Sequence, residues 1–588
     1  MFASRAKQGA DEAELKSARA VSHTARGVRE GESVFTLSEL YTARIAASGP
    51  AIALHVPRGA EFCAVTWNEL DADVRRLAHW LRDQQVGAGD RVAQIAENCY
   101  EWIVLDCAIH LLGAIHVAIH APLSGMQIGF QIVDSGARVV VLSGAEQAAK
   151  LADPVLRWGA EVRFFSYEPC AAELNRGPVA AVPALGGIAR TGSGAAAVAA
   201  QPAFAPAAGA EDLATILYSS GTTGEPKGVM LTHANLVSNA TAMTAAFEVT
   251  AADLRLTFLP LSHIFARTCD LYTWLCCGSQ LALAESRERI VANCARLRPT
   301  LLNGVPYFYE KVMRQFRESN EAAPRGRLNE LLGGRLRACC SGGAALPLHV
   351  ACWYEAQGLP LLQGYGLTES SPVISMSTPS HYRNGTVGRA LAGIEIQIGA
   401  DGEILTRGPH VMRGYWNRPD ATADTIRAGW LHTGDLGVLS DDGYLTITGR
   451  KKEILVTAGG KNIAPVAIEA LLTEEPLIAQ AVVFGDGRNY LTALIVPNPD
   501  VLREQIIKQA LTVRSREEAL VHPAVLDLYR AAIDERLRCL SRSEQIGRFA
   551  LVGKGFSIES GELTPTLKLR RAMIQANHAA LIEALYAG

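Results

Sequence analysis

At 588 residues, with 49% hydrophobic residues and a formal net charge of −3, the chain is long enough for several domains and can bury a large core. Its 56 basic residues are interleaved with 59 acidic ones, so it lacks the basic field that would bind nucleic acid. The 12 cysteines form no Cys-x-x-Cys pair or Cys/His cluster, which argues against a zinc site or a disulfide framework and fits a reducing cytoplasm.

Residues 1–34 are polar and aperiodic, and the expectation there is a mobile arm. Asp11, Glu12 and Glu14 in that arm, with no apolar stretch, argue against a secretory signal. No run reaches the roughly 18 uninterrupted apolar residues of a membrane span. From Phe35 onward helical patterning ("WNELDADVRRLAHWLRDQQ") alternates with short apolar runs ("RVAQIAE", "ARVVVLSG"), the pattern of layered α/β structure with largely parallel strands. Residues 176–210, rich in Ala, Gly and Pro, show no helical or strand period and read as a surface excursion.

Strand–helix alternation resumes at "LATILY" and runs to about residue 400. There the texture changes: "IEIQIGADGEILTRG" and "GVLSDDGYLTITG" are alternating runs broken by Asp-Gly, a hairpin signal. A compact mixed segment follows, with "VAIEALLTEEP", "AQAVVFGD" and "LTALIVP". The expected fold is α/β: a large N-terminal domain, residues 35–450, of layered sheets and helices with a β-rich subdomain, then a small α+β C-terminal domain, residues 451–588.

Five segments are candidates to carry chemistry, each with a plain structural alternative: for the charge run Arg450–Lys452 a solvated face, and for Lys568 a solvent-exposed charge. The first, "SSGTTGEPKG", is not a nucleotide-binding P-loop, because Gly221 and Lys227 bracket the wrong spacing and Gly228 stands where Ser or Thr is required. Ser219, Ser220, Thr222 and Thr223 can nevertheless donate to oxyanions. Gly221 and Gly224 let the backbone curl into an anion-binding nest, and Lys227 adds a point charge. An ordinary solvated loop has the same composition.

In the second, "LQGYGLTESSP", Gly364 and Gly366 flank Tyr365 so that backbone can approach a flat ligand. Thr368 offers a hydroxyl, and Glu369 a hard carboxylate of the kind magnesium takes beside phosphates. A glycine turn followed by a helix capped by Thr368 reads equally well. In the third, "GWLHTGDLG", Asp435 can accept from both hydroxyls of a ribose, or can simply be a turn residue. The fourth, "GRKKEILVTAGGKNIAP", puts the charge run Arg450–Lys452 at the domain boundary. The fifth, "GELTPTLKLRR", places Lys568 near the chain end.

Together, in this order, the five segments resemble the adenylate-forming superfamily of acyl-CoA synthetases, luciferases and peptide-synthetase adenylation domains, from about Phe35 to the C-terminus. "LPLSHIFARTCDLYTWL", "GYGLTESSPVIS" and "LTPTLKLRR" most resemble long-chain fatty acid–CoA ligases. The resemblance implies that the hydroxyl-glycine loop, Ser219 to Lys227, cradles the β- and γ-phosphates of ATP. Thr222 would belong to the catalytic set. Gly342, Gly343 and Ala344 of "SGGAALP" would lie against the adenine, with Gln363, Gly364, Tyr365 and Gly366 completing that pocket and Tyr365 stacking. Thr368 would contact phosphate, and Glu369 with Ser219 would hold Mg2+. Asp435 and Arg450 would bind the ribose, and His263 would lie near the acyl carboxylate. Arg267 lies where some relatives gate the acyl tunnel.

By the same resemblance Lys568 would bridge the carboxylate and the α-phosphate while the adenylate forms. The small domain would be mobile and rotate about Lys452, and Gly459 and Gly460 would then line the pantetheine tunnel. The implied activity is ATP-dependent: a fatty acid, medium- to long-chain favoured, becomes acyl-AMP with pyrophosphate release, and coenzyme A then displaces AMP. None of the cysteines is needed as a nucleophile. The implied partners are fatty acid, ATP and CoA, on a cytoplasmic monomer or homodimer; a lipid substrate leaves room for peripheral contact with the inner membrane face. The competing readings are a fatty acyl-AMP ligase or adenylation enzyme loading a carrier protein in trans, a luciferase-like oxidoreductase, and a nucleotide sensor without catalysis.

Overall fold

The structure is a computed structural model and describes residues 36–153, 155–156, 158–159, 161–168, 170, 173–174, 177–178, 180–181, 204, 207–219, 226–319, 326–557, 560–563 and 569–587. It is mixed α/β: three sheets and their helices form a large N-terminal part, and a smaller sheet with its own helices forms the C-terminal part. The arm over 1–34 lies outside the described residues.

An eight-stranded sheet runs in the order Gly414–Tyr415, Lys227–Thr232, Leu213–Ser219, Ile115–Ile119, Arg91–Ile95, Val139–Leu142, Arg163–Ser166 and Ala180–Ala181. Six of these strands pair parallel, from Leu213–Ser219 to Ala180–Ala181, while Lys227–Thr232 and Gly414–Tyr415 close one edge antiparallel. Runs such as Val139–Leu142 are buried throughout, as strands covered on both faces must be.

A nine-stranded sheet has a parallel centre, including Ala338–Ser341 and Leu361–Gly366. The antiparallel hairpin Ile52–Arg58/Glu61–Thr66 lies at one edge and Val373–Met376 near the other. The helix Tyr100–Leu111 is buried on nearly every side, Asp106 and His110 included, as a mainly apolar helix without a polar face must be. The expected helix in "WNELDADVRRLAHWLRDQQ" spans Trp67–Asp83, capped by Thr66 with Glu69 reaching back. Trp67 is fully buried and stacks on Trp274 at 4.3 Å.

The two Asp-Gly hairpins expected beyond residue 390 form as read. Glu395–Ile398 pairs with Glu403–Arg407, and Trp430–Leu439 with Leu445–Arg450, in an antiparallel third sheet. In the C-terminal part Ile478–Phe484, Leu491–Pro497 and Ile546–Leu551 make a three-stranded sheet. Helices Pro465–Thr473 and Pro523–Leu537 pack on it through Ile468, Leu472, Tyr529 and Ile533. Among the described residues no helix is long and apolar enough to cross a membrane.

Residues 176–210 depart in part from a plain surface excursion. Gly177–Pro178 pairs with Glu173–Leu174, and Ala180–Ala181 extends the first sheet beside Phe165–Ser166. Phe204 packs at 4.6 Å against His79. Most of the stretch between lies outside the described residues. Two-residue strands are too short to show a period, so backbone pairing along an existing edge was not readable there.

Candidate functional site

Leu213–Ser219 and Lys227–Thr232 pair so that Ser219 lies opposite Lys227. The two ends of the hydroxyl-glycine loop are thereby pinned at one edge of the first sheet. Ser220, Gly221, Thr222, Thr223 and Gly224 lie outside the described residues. Lys227 places its ammonium 4.9 Å from the centroid of the Tyr415 ring.

The second segment occupies the strand Leu361–Gly366, which contributes Gln363, Gly364, Tyr365 and Gly366. Small residues are compulsory here. A Cβ on Gly364 would fall 2.3 Å from Met376 Sδ, and one on Gly366 would fall 1.7 Å from the Pro372 carbonyl oxygen. The helix weighed after this strand is absent; Thr368–Ser370 makes one 3-10 turn, and its preceding residue is Leu367, not a Thr368 cap. The turn is too short to propagate because the chain enters the strand Val373–Met376 directly. It half-buries Glu369, whose Oε1 accepts from the Tyr415 hydroxyl at 2.9 Å. Gly342 and Gly343 follow the neighbouring strand Ala338–Ser341 with Ala344. A Cβ on Gly342 would meet the Phe265 ring at 3.1 Å, and Gly343 has φ +80°.

Register in the third sheet puts Asp435 directly opposite Arg450, and the Arg450 Nε donates to Asp435 Oδ1 at 2.9 Å. The Tyr365 hydroxyl donates to the other oxygen, Oδ2, at 2.8 Å. The second, third and fourth segments therefore converge on one carboxylate. Burial, reinforced by that carboxylate, holds the Tyr365 hydroxyl well above its usual range, so it stays a donor. Burial pushes Arg450 down, but Asp435, Glu453, Tyr365 and Glu369 together raise it more, and it remains a cation.

His263 caps the short helix Ile264–Ala266 and accepts from the Phe265 N–H at 3.3 Å. Lys452 is exposed on the 3-10 turn Lys451–Glu453, and Gly459 and Gly460 form the exposed tip between Leu455–Val456 and Asn462–Ile463. Lys568 lies outside the described residues.

Arg267 opens a π-helical segment, Arg267–Tyr272, and is fully buried. Its guanidinium donates to Asp106, to Thr215 Oγ1 at 2.8 Å and to the Tyr272 hydroxyl at 2.8 Å, with His116 Nδ1 also at 2.8 Å. Burial pushes the Asp106 carboxyl up, but Arg267 and two histidines outweigh it and hold the group well below the usual carboxylate range. Arg267 was singled out in the sequence as a tunnel-gating position, but its buried partners and Tyr415 were missed. The one sequence signal for Tyr415 is Gly414 ahead of two aromatics in "RGYWN"; the pairing of Arg267 with Asp106 shows none, the two being 161 positions apart.

Tyr415 links Lys227 to the Glu369 carboxylate, and Tyr365 and Arg450 share a second carboxylate, Asp435; this arrangement is compatible with a nucleotide and its phosphates. Among the described residues no group of three or more His, Cys, Asp or Glu side chains could hold a metal by itself. A magnesium ion at Glu369 would accordingly draw most of its ligands from phosphate and water, its usual habit.

The AMP-binding enzyme family matches residues 42–416, and the AMP-binding enzyme C-terminal domain matches residues 452–588. A long-chain-fatty-acid–CoA ligase, FadD15 of Mycobacterium bovis, is 33% identical over 570 residues, covering 89% of this chain and 92% of the relative. The anthranilate CoA ligase AuaEII in complex with anthranoyl-AMP superposes with a TM-score of 0.74 at 21% identity, over 96% of this chain and 100% of that one. A fatty acyl CoA synthetase of Mycobacterium tuberculosis gives 0.64 at 23% identity, over 93% and 99%. These two structures speak for the fold. With both domain families matched and a relative covered almost end to end, the chain belongs to the AMP-binding enzymes of the adenylate-forming superfamily and is similar within them to long-chain fatty-acid–CoA ligases.

Proposed function

We propose that this protein is an AMP-forming acid–thiol ligase that converts a medium- to long-chain fatty acid to its CoA thioester. Family membership and the identity with a long-chain ligase over 89% of the chain carry the reading. The convergence of Tyr365, Asp435 and Arg450 supports it.

In the first half-reaction a carboxylate oxygen attacks the α-phosphorus of ATP, the bond to the β-phosphate oxygen breaks, and pyrophosphate leaves. Two anions must meet, so the chain's work is positioning and charge neutralisation. Asp435 and Arg450 would fix the ribose, Tyr365 and Gly342 to Ala344 the adenine, and Lys227 the outer phosphates. Lys568, near the chain end, would neutralise charge where the carboxylate meets the α-phosphate, and His263 would border the acyl end. Mg2+, held by Glu369 with Ser219, would supply charge neutralisation at the pyrophosphate. In the second half-reaction the CoA thiolate attacks the acyl-adenylate carbonyl and AMP departs, with no protein nucleophile. Residues 451–588 would turn about Lys452 between the two, bringing Gly459 and Gly460 to the pantetheine. All 12 cysteines are free thiols, which supports a cytoplasmic setting.

An acid panel from acetate to oleate tests this, following pyrophosphate and thioester with and without CoA. The expected result is thioester from medium- and long-chain acids only when CoA is present. Adenylate that never becomes thioester would move the acceptor to a carrier-protein thiol. Lys568→Ala should slow AMP formation about 10²–10³-fold, the usual loss for one preorganised charge contact; parental speed would overturn the scheme.

A further inference from the structure

Lys227 and Glu369 carry opposite charges and meet the same residue, yet among the described residues they form no ion pair with each other. What lies at both is Tyr415. Its hydroxyl donates to Glu369 Oε1 at 2.9 Å, and its ring face takes the Lys227 ammonium at 4.9 Å. From this geometry we infer that Tyr415 is a positioning residue, a neutral spacer that keeps the site's cation and anion apart and ready for separate tasks. The inference rests on the reading of Lys227 as a phosphate contact and Glu369 as a metal contact.

The physics is that of competition. A flexible ammonium close to a carboxylate gains by contact. A contact pair, however, would use the charge that phosphate needs from Lys227 and the lone pairs that a cation needs from Glu369. Tyr415 satisfies both in another way: a phenol donor for the carboxylate, and the negative face of a ring for the ammonium.

The backbone keeps Tyr415 in place on three sides. The strand Gly414–Tyr415 pairs with Met230 and Val229 on the Lys227 strand. The Met412 N–H donates to the Glu369 carbonyl at 2.9 Å, and the Trp416 N–H to the Gly228 carbonyl at 2.7 Å. The Tyr415 N–H donates to Thr422 Oγ1 at 2.9 Å. Residues 412–416 thus lace the turn bearing Glu369 to the strand bearing Lys227. Tyr415 itself is 8% exposed, so its ring cannot swing aside.

The test uses the full-length chain and four variants: Tyr415→Phe, Tyr415→Leu, Lys227→Met, and Tyr415→Leu with Lys227→Met. Each is melted without ligand and then with ATP over a Mg2+ titration, reading the Mg2+ concentration that gives half the nucleotide-induced rise in Tm. Kinetics supply KM for ATP and for the acid separately. Tyr415→Phe keeps the ring and should raise the half-effect Mg2+ concentration about 3–10-fold, leaving KM for the acid unchanged. Tyr415→Leu should raise it further. Lys227→Met alone weakens the phosphate contact, so the double variant is compared with it: there Tyr415→Leu should raise the Mg2+ requirement far less than in the parent, because no ammonium remains to capture the carboxylate.

That dependence on Lys227 is a result that a merely structural tyrosine would not give. An unchanged Mg2+ requirement in Tyr415→Phe, or a Tyr415→Leu effect as large beside Lys227→Met as in the parent, overturns the spacer while leaving the ligase reading intact. A parent chain that ATP and Mg2+ do not stabilise overturns both.

Discussion

Arg267 and Asp106 form an ion pair whose side chains are 0% and 1% exposed. Such a pair is costly to break from one side, because the partner remains charged and dry. Arg267→Met is expected to lower unfolding free energy by about 3–5 kcal/mol. Adding Asp106→Asn should recover part of that loss, since the orphaned charge goes with it. Urea unfolding of the parent, both single variants and the double variant measures this. A double variant at the sum of the two single losses would show that the charges are independent.

The imidazoles around that pair set an acid limit on stability. Burial, aided by Arg267, pushes the His116 imidazole down to about 3, and burial with His110 nearby pushes His233 down to about 3. An unfolded histidine protonates near about 6.5, so below that pH the unfolded chain holds more protons than the folded one. Stability therefore falls as pH drops from about 6.5 toward 3, by up to about 1.4 kcal/mol per pH unit for each histidine. Asp106 acts in the same direction at the bottom of the range: its lowered carboxyl contributes stability that is lost as pH falls through its folded value. Unfolding midpoints at pH 7.5, 6.5, 5.5 and 4.5 check the slope. A flat profile between 6.5 and 4.5 would count against neutral burial of both rings.

How far these features were legible follows from how local their causes are. The hairpins were readable because Asp401-Gly402 and Asp442-Gly443 break alternating runs, and both glycines take positive φ, 80° and 83°. The segments bearing Tyr365, Glu369, Asp435 and Arg450 were readable because each carries its chemistry within a few residues. Their convergence was implied only by the family resemblance, because it depends on the register that sets Asp435 opposite Arg450. Tyr415 and the partners of Arg267 were invisible for the same reason carried further, as they are supplied by other sheets and helices.

Asp435→Asn tests the convergence. The amide can still accept from Tyr365, but it no longer neutralises Arg450, whose Nε lies 2.9 Å from Asp435 Oδ1. KM for ATP is expected to rise about 10–100-fold, as for loss of a charged hydrogen bond worth about 1.5–3 kcal/mol. KM for the acid should change less than threefold (about 0.6 kcal/mol at most) if the carboxylate serves the nucleotide alone. Initial rates with each substrate varied in turn separate the two. Equal rises in both KM values would make Asp435 a general prop of the site.

Two glycines from different segments should separate packing from function. Gly366→Ala must place a methyl 1.7 Å from the Pro372 carbonyl oxygen, with Pro372 backbone carbon at 2.7 Å, so backbone and not a pliable side chain has to yield. The turn carrying Thr368 and Glu369 begins two residues later and moves with it. The expected cost is at least about 3 kcal/mol, the upper range for an overpacked interior, with both half-reactions lost together. Gly459→Ala meets only Thr457 Oγ1, at 3.9 Å, in an exposed tip. It should melt with the parent, within about 0.5 kcal/mol, as surface substitutions do. If Gly459 lines the thiol's path, that variant should still release pyrophosphate and fall at least about tenfold in thioester formation, a difference of about 1.4 kcal/mol in barrier. Single-turnover measurements of the two steps on both variants decide it. Parental thioester formation by Gly459→Ala would move the pantetheine path away from this tip.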